Sequence, residues 1–174
     1  MSNSQTLSSF EGARNEDFET PYAFVKMVED DLLRDTFDLD VAASSGNTKA
    51  PNYYDKISNG LDRRWYGNVW CNPPYGRKIT EWLKKCLVEK ELGVENIFVL
   101  IPARTDVAWF HDLIEPHAYT IYLIRGRMNF KHHTSVKNSN APFPSMLVHF
   151  KANTIRVGGQ RIRPLEISRT ARGF

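Results

Sequence analysis

Cysteine is scarce: Cys71 and Cys86 are the two in 174 residues, forming neither a Cys-rich framework nor a metal-binding spacing. Both fall inside apolar runs, so buried thiols are expected. No apolar stretch approaches the roughly 18 residues needed to cross a bilayer. The polar, Ser- and Asn-bearing start lacks the basic flank and apolar core of a signal peptide, so the expected location is the cytoplasm. His132 and His133 are adjacent and therefore point apart, which argues against a shared metal. No metal ion and no membrane partner are expected, and no internal repeat is visible. Acids are nearly missing from one end. Residues 125–174 hold 10 Lys and Arg against the single acid Glu166, whereas residues 1–62 hold 5 against 12 acids. The net charge is only +3, so the asymmetry carries more information than the sum.

With 41% hydrophobic and 25% charged residues, the chain is long enough for one domain with a sizeable core. Residues 1–17, Ser-rich and without periodicity, are expected to be a flexible arm, and 18–174 the domain. From Thr20-Pro21 a helix is predicted, with Thr20 as cap and Pro21 in the first turn, presenting Phe24, Val25, Val28, Leu32 and Leu33 as its apolar face. Residues 37–43 read as the first core strand, with Asp40 near its carboxyl end and the small residues Ala42, Ala43 and Ser44 after it. Residues 47–64 are loop or edge-strand material with a turn at Asn59-Gly60. A strand over 67–71 follows, then a helix over 77–91 with Ile79, Trp82, Leu83, Cys86 and Leu87 on one face, ended by Gly93. Residues 96–101 are a continuous apolar strand of the kind buried on both faces. A polar turn over 102–106 leads into a second helix through Trp109, Phe110 and Leu113. Strands are predicted over 118–124 and 145–151, with a hairpin over 151–163 around Gly158-Gly159. Strand, helix, strand, helix, strand is the pattern of a layered α/β fold with a largely parallel sheet.

Asn72-Pro73-Pro74-Tyr75 sits where the 67–71 strand ends. Two prolines forbid both ladder donation and helix, so a polar amide is held at the carboxyl edge of a sheet, where ligands sit in open α/β folds. That device suits transfer to an amino group conjugated with a ring. The Asn72 side-chain oxygen and the Pro73 carbonyl can each accept one N–H of a planar NH₂, freeing its lone pair for an electrophile. Pro73 and Pro74 stiffen the turn, and Tyr75 offers a face on which a base lifted from a duplex can stack.

These four residues resemble the catalytic motif of amino-methyltransferases. Thr20-Pro21, FDLDVAAS (37–44), GNVWCNPPYG (67–76), LIPARTDVAWF (100–110), GRMNF (126–130) and APFPSMLVHF (141–150) together are similar to the compact phage-type DNA adenine-N6 methyltransferases, over residues 18–150. The resemblance implies a three-layer Rossmann-like methyltransferase fold, mostly parallel with an antiparallel hairpin. It implies S-adenosyl-L-methionine as methyl donor, double-stranded DNA as partner and the adenine N6 amine as acceptor, in the host cytoplasm if the gene belongs to a phage. Asn72, Pro73, Pro74 and Tyr75 would then be catalytic, and Thr20, Pro21, Asp40, Ala42 and Asn72 would border the cofactor, with Asp40 on its ammonium. Alanines stand where larger methyltransferases carry glycines after the first strand, a variant shared with the phage-type family. Asp55 and Asp62 are the weak candidates for the ribose hydroxyls, and Trp65 and Tyr66 for a pocket roof or core.

DNA contact is expected from Arg125, Arg127, Lys131 and Lys137, helped by His132, His133 and the tail arginines, and Arg104 is open to a DNA phosphate or to an acidic neighbour in equal measure. Four of these cations lie in a loop over 125–144 that contains no acid. Arg127, Asn138 and Asn140 are the candidates for reading base edges. The same clamp also serves adenine in RNA or a glutamine amide in protein, and a non-catalytic nucleic-acid-binding domain could keep the fold. The oligomeric state, a dimer included, is left open by the sequence.

Overall fold

The computed structural model describes residues 19–130, 139–154 and 161–173. The expected arm over 1–17, the side chains of Lys131, His132, His133, Lys137, Asn138 and Asn140, and the Gly158-Gly159 turn lie outside what is described. In chain order the strands are β1 (Leu39–Asp40), β2 (Asn52–Tyr53), β3 (Asn68–Cys71), β4 (Asn96–Pro102), β5 (Thr120–Ile124), β6 (Asn129–Phe130), β7 (Ser139–Asn140), β8 (Ser145–Lys151) and β9 (Arg161–Leu165). Seven of them form one sheet in the order β2-β1-β3-β4-β8-β5-β9. The pairs β1–β2, β1–β3, β3–β4 and β5–β9 are parallel, and β8 alone is reversed, antiparallel to both β4 and β5. The layered α/β class is therefore the one expected.

All seven residues of β4 are buried, as its unbroken apolar run demands of a strand covered on both faces. The second helix of the chain, α2 (Ile79–Glu91), lays Ile79, Trp82, Leu83 and Cys86 against Val69, Cys71, Ile97, Val99 and Val148 on one face, joined by Phe110 and Ile114 of a short π-type helix (Phe110–Ile114). On the other face, α1 (Tyr22–Met27) and the π-type turn Val28–Leu33 pack Phe24, Val25 and Val28 against Trp70, Phe98, Leu100 and Leu147. Shortening a fully buried side chain such as Leu100 to Ala would cost about 2–5 kcal/mol.

Three expectations are corrected. The first residue before α1 is Pro21, with no side-chain cap bond, so Thr20 does not cap the helix. The 151–163 hairpin does not form: β8 and β9 are separated by β5, and β9 pairs in parallel with β5. A Gly-Gly pair encodes a reversal of the chain but not which strand will accept the next one. The 125–144 segment is not a plain loop either. Strands β6 and β7 form a two-stranded antiparallel ribbon, and Met128, Phe130 and Ala141 at its base are buried in the core. Trp65 joins the core, stacking on Trp82 at 6.3 Å and donating its indole N–H to the Gly60 carbonyl, while Tyr66 stays exposed.

Candidate active site

Because β1, β3, β4, β5 and β9 run in one direction, their carboxyl ends share one edge, and the reversed β8 begins there. From β1 the chain leaves towards β2 on one side, and from β3 it leaves through α2 towards β4 on the other. The crevice between those divergent connections is the switch point at which open α/β sheets bind ligands. Asp40 ends β1 and Asn72 follows β3, so the two expected halves of the site flank that crevice.

Asp40 is 3% exposed. Its Oδ1 accepts the Ala42 N–H at 3.3 Å and its Oδ2 the Lys49 N–H at 3.0 Å, which ties down the loop after β1. Burial pushes its carboxyl up to about 6, against the pull of those two N–H groups and of Lys49. The loop is tightened again from below: a Cβ on Gly60 would collide with the Val41 carbonyl, so the Asn59-Gly60 turn packs directly beneath it. Asp55 closes its own turn by accepting the Ile57 and Ser58 N–H groups and the Ser58 hydroxyl, and Asp62 accepts from Asn59.

Asn72 is half-buried between two hydroxyls. Its Nδ2 donates to Thr20 Oγ1 at 3.1 Å, and its Oδ1 accepts from the Tyr75 hydroxyl at 2.7 Å. Thr20, 2% exposed, thus serves the Asn72 amide and not the helix start. Burial, with the Cys71 thiol nearby, pushes the Tyr75 phenol well above its ordinary range, so it stays a donor. Pro73 is buried behind the amide and Pro74 is half-buried. The Tyr75 ring meets Phe143 edge to face, centroids 5.5 Å apart. Phe143 had no expected role, although it lies in a segment singled out by the resemblance. It reaches the site because β8 starts at this edge and the Pro144 carbonyl accepts the Ala103 N–H beyond β4.

Arg104 is exposed just past the end of β4, and Arg125 and Arg127 are exposed past the end of β5, all at this same edge. Arg125 is engaged by Glu166 at 2.9 Å, so part of its charge is already offset. Two cavities of about 480 and 500 Å³ lie away from the crevice, one at the opposite edge of the sheet and one between α1 and the C-terminal residues 166–171. Among the described residues no cluster of three or more His, Cys, Asp or Glu could hold a metal ion, and no helix is long and apolar enough to cross a membrane.

A Rossmann-like sheet with a proline-stiffened Asn at its switch point is the arrangement expected of a methyltransferase, and comparison with known proteins gives both the class and the family. The sequence profile of DNA N-6-adenine-methyltransferase (Dam) matches residues 8–162. The chain belongs to this family, the adenine-specific DNA methyltransferases. The DNA N-6-adenine-methyltransferase of Haemophilus phage HP1 (strain HP1c1) is 26% identical over 117 residues, 66% of this chain and 67% of that protein. A solved structure from Pyrococcus horikoshii, whose RNA methyltransferase activity is itself only proposed, aligns with a TM-score of 0.40 at 13% identity, covering 77% of this chain and 72% of that one.

Proposed function

We propose that the protein transfers a methyl group from S-adenosyl-L-methionine to the exocyclic N6 amine of an adenine lifted out of double-stranded DNA, at the crevice between Asp40 and Asn72. The observation that carries this reading is that one crevice, at the sheet's switch point, gathers a buried carboxylate, a proline-backed amide and an aromatic ring. Asp40, with Ala42 beside it and Thr20-Pro21 across from it, borders the cofactor. Each Asp40 oxygen accepts one backbone N–H and keeps a further lone pair, so the donor set suits an ammonium. When bound, the cofactor supplies a methyl group on a sulfonium, an electrophile that needs no metal.

Asn72 Oδ1 and the Pro73 carbonyl accept the two N–H groups of the amine, which localises its lone pair and directs it at the methyl carbon. To do so Asn72 Oδ1 exchanges the Tyr75 hydroxyl for the amine N–H, and the freed Tyr75 ring turns its face to the base. Held by Thr20, Pro21, Asp40 and Ala42, the cofactor would supply its methyl group by direct displacement with the thioether as leaving group, and the amine's surplus proton would pass to solvent. Thr20 keeps Asn72 Nδ2 occupied throughout, leaving the oxygen for substrate. Arg104, Arg125, Arg127, Lys131 and Lys137 meet the phosphates, which positions the duplex without reading its sequence. Reaction in a cytoplasm, where both DNA and cofactor are at hand, fits this chemistry.

The test is DNA isolated from cells expressing the protein, digested with nucleases sensitive to adenine methylation. Protection is expected with the wild type and its loss with Asn72→Ala, whose rate should fall by about 10²-fold or more while the fold survives. Wild-type protection by a folded Asn72→Ala protein would sink the clamp.

A further inference from the structure

Three consecutive residues tie three distant parts of the chain to the crevice. Glu19 Oε1 holds Lys49 Nζ at 2.9 Å, and the Lys49 backbone N–H donates to Asp40. Thr20 Oγ1 holds Asn72 Nδ2 at 3.1 Å. Pro21 packs against Gly173, whose Cβ, were it present, would stand 2.9 Å from Pro21 Cγ and collide with the Asn129 carbonyl. Gly173 also has φ +93°, where side chains are strained, so only glycine fits. The turn that carries it is anchored on β6: Asn129 N–H donates to the Arg172 carbonyl at 2.8 Å, and Asn129 Nδ2 to the Gly173 carbonyl at 2.7 Å. Asn129 and Ala171 are both 6% exposed, so this contact excludes water. Helix α1 brings no side-chain cap to its own start, so its entry is held from outside. The family match ends at residue 162, before this turn begins.

We propose that the C-terminal turn over 168–173 is a latch that fixes Thr20-Pro21, and through Thr20 the Asn72 amide, which makes Gly173 and Asn129 positioning residues for methyl transfer. The proposal rests on the clamp described above. Release of the turn lets the 19–21 segment drift. Asn72 then loses its Thr20 partner in a fraction of molecules, and a displacement of about 1 Å at a reacting group can cost up to about 10²-fold in rate.

The test uses the full chain with Gly173→Val, Thr20→Val and the double variant, reading kcat and KM for an adenine-containing duplex together with the melting curve. Gly173→Val should lower kcat about 10-fold while leaving DNA KM within about 2-fold, because no charge is removed. Thr20→Val should do the same, and Thr20→Ser should restore the rate. The double variant should lose no more than the worse single one, because both act on one amide. Full kcat in folded Gly173→Val, or losses that multiply in the double variant, would overturn the latch. Should Gly173→Val fail to melt cooperatively, Pro21→Ala removes the ring contact without a clash, and full kcat there overturns the proposal equally. The two readings separate in Asn72→Ala: if it is inactive while the latch variants keep full rate, the latch alone is lost.

Discussion

Strand β3 carries an asparagine at each edge of the sheet. Asn68, at the amino end, donates to the Thr36 carbonyl at 3.1 Å and to Asp35 at 3.2 Å, and accepts from Asn96 at 2.9 Å. Asn96 Oδ1 in turn meets His149 Nε2 at 3.0 Å, so that nitrogen carries the proton, and the imidazole stacks on Phe98 at 4.1 Å. Most partners in this row are carbonyl, carboxylate or amide groups with fixed roles, and Asn68, Asn96 and His149 are buried. Asn72, past the carboxyl end, is held by two hydroxyls, of which the one on Thr20 is fixed and the one on Tyr75 can swing away from Oδ1. One asparagine is a brace and the other is available for exchange. The difference lies in what each edge offers as partner.

The strongest way to break this comparison is to truncate both. Asn72→Ala should cost methyl-transfer rate and leave urea denaturation nearly unchanged. Asn68→Ala strands the buried Asn96 amide and should cost about 1–3 kcal/mol of stability, with kcat per folded molecule preserved. Rate loss in Asn68→Ala without stability loss would erase the distinction.

Acid and base sharpen it next. Burial, with a lesser push from Lys151, lowers His149 to about 3 from 6.5. Its contribution to stability is present above pH 6.5 and is lost as pH falls towards 3, because the unfolded chain takes up the proton first. Asp40 works in the opposite sense. Raised from 3.8 to about 6, it favours the folded state below that window, and the contribution is lost as pH rises through about 6. The two contributions oppose each other across this range, so His149→Phe should remove the loss of stability towards acid and leave the gain from Asp40. Cofactor binding, followed as a rise in melting temperature, should strengthen as pH rises through about 6 and lose that dependence in Asp40→Asn. An unchanged profile in Asp40→Asn would place the ammonium elsewhere.

Charge gives a smaller effect. Neutralising Arg127, Lys131 and Lys137 together should reduce the slope of log affinity for DNA against log salt by roughly 0.9 for each phosphate no longer neutralised, without altering cofactor affinity. If the slope stays as it was, the phosphates are met by the tail or by a second subunit. The smallest expected change is at the exchangeable partner itself. Tyr75→Phe removes the hydroxyl from Asn72 Oδ1 but keeps the ring, so kcat/KM should stay within about 3-fold of wild type, whereas Tyr75→Ala loses roughly 1–3 kcal/mol of base stacking. Equal losses in both would make the hydroxyl, and not the ring, the working part of Tyr75.

Whatever depends on neighbours along the chain was legible in residue order alone. The unbroken apolar run of β4, the helical stripe of α2, Asp40 at the end of β1 and the proline-stiffened Asn72 after β3 all follow from local periodicity and backbone restriction. Which groups meet was settled in three dimensions. Asn72 finds Thr20, 52 residues earlier, β5 takes the place between β8 and β9, and Phe143 and Gly173 arrive at the crevice because β8 begins and β9 ends at that edge. No local pattern encodes those meetings. A turn residue specifies where the chain bends, but which strand receives it is settled by competition among distant backbone donors and apolar faces for the same partners.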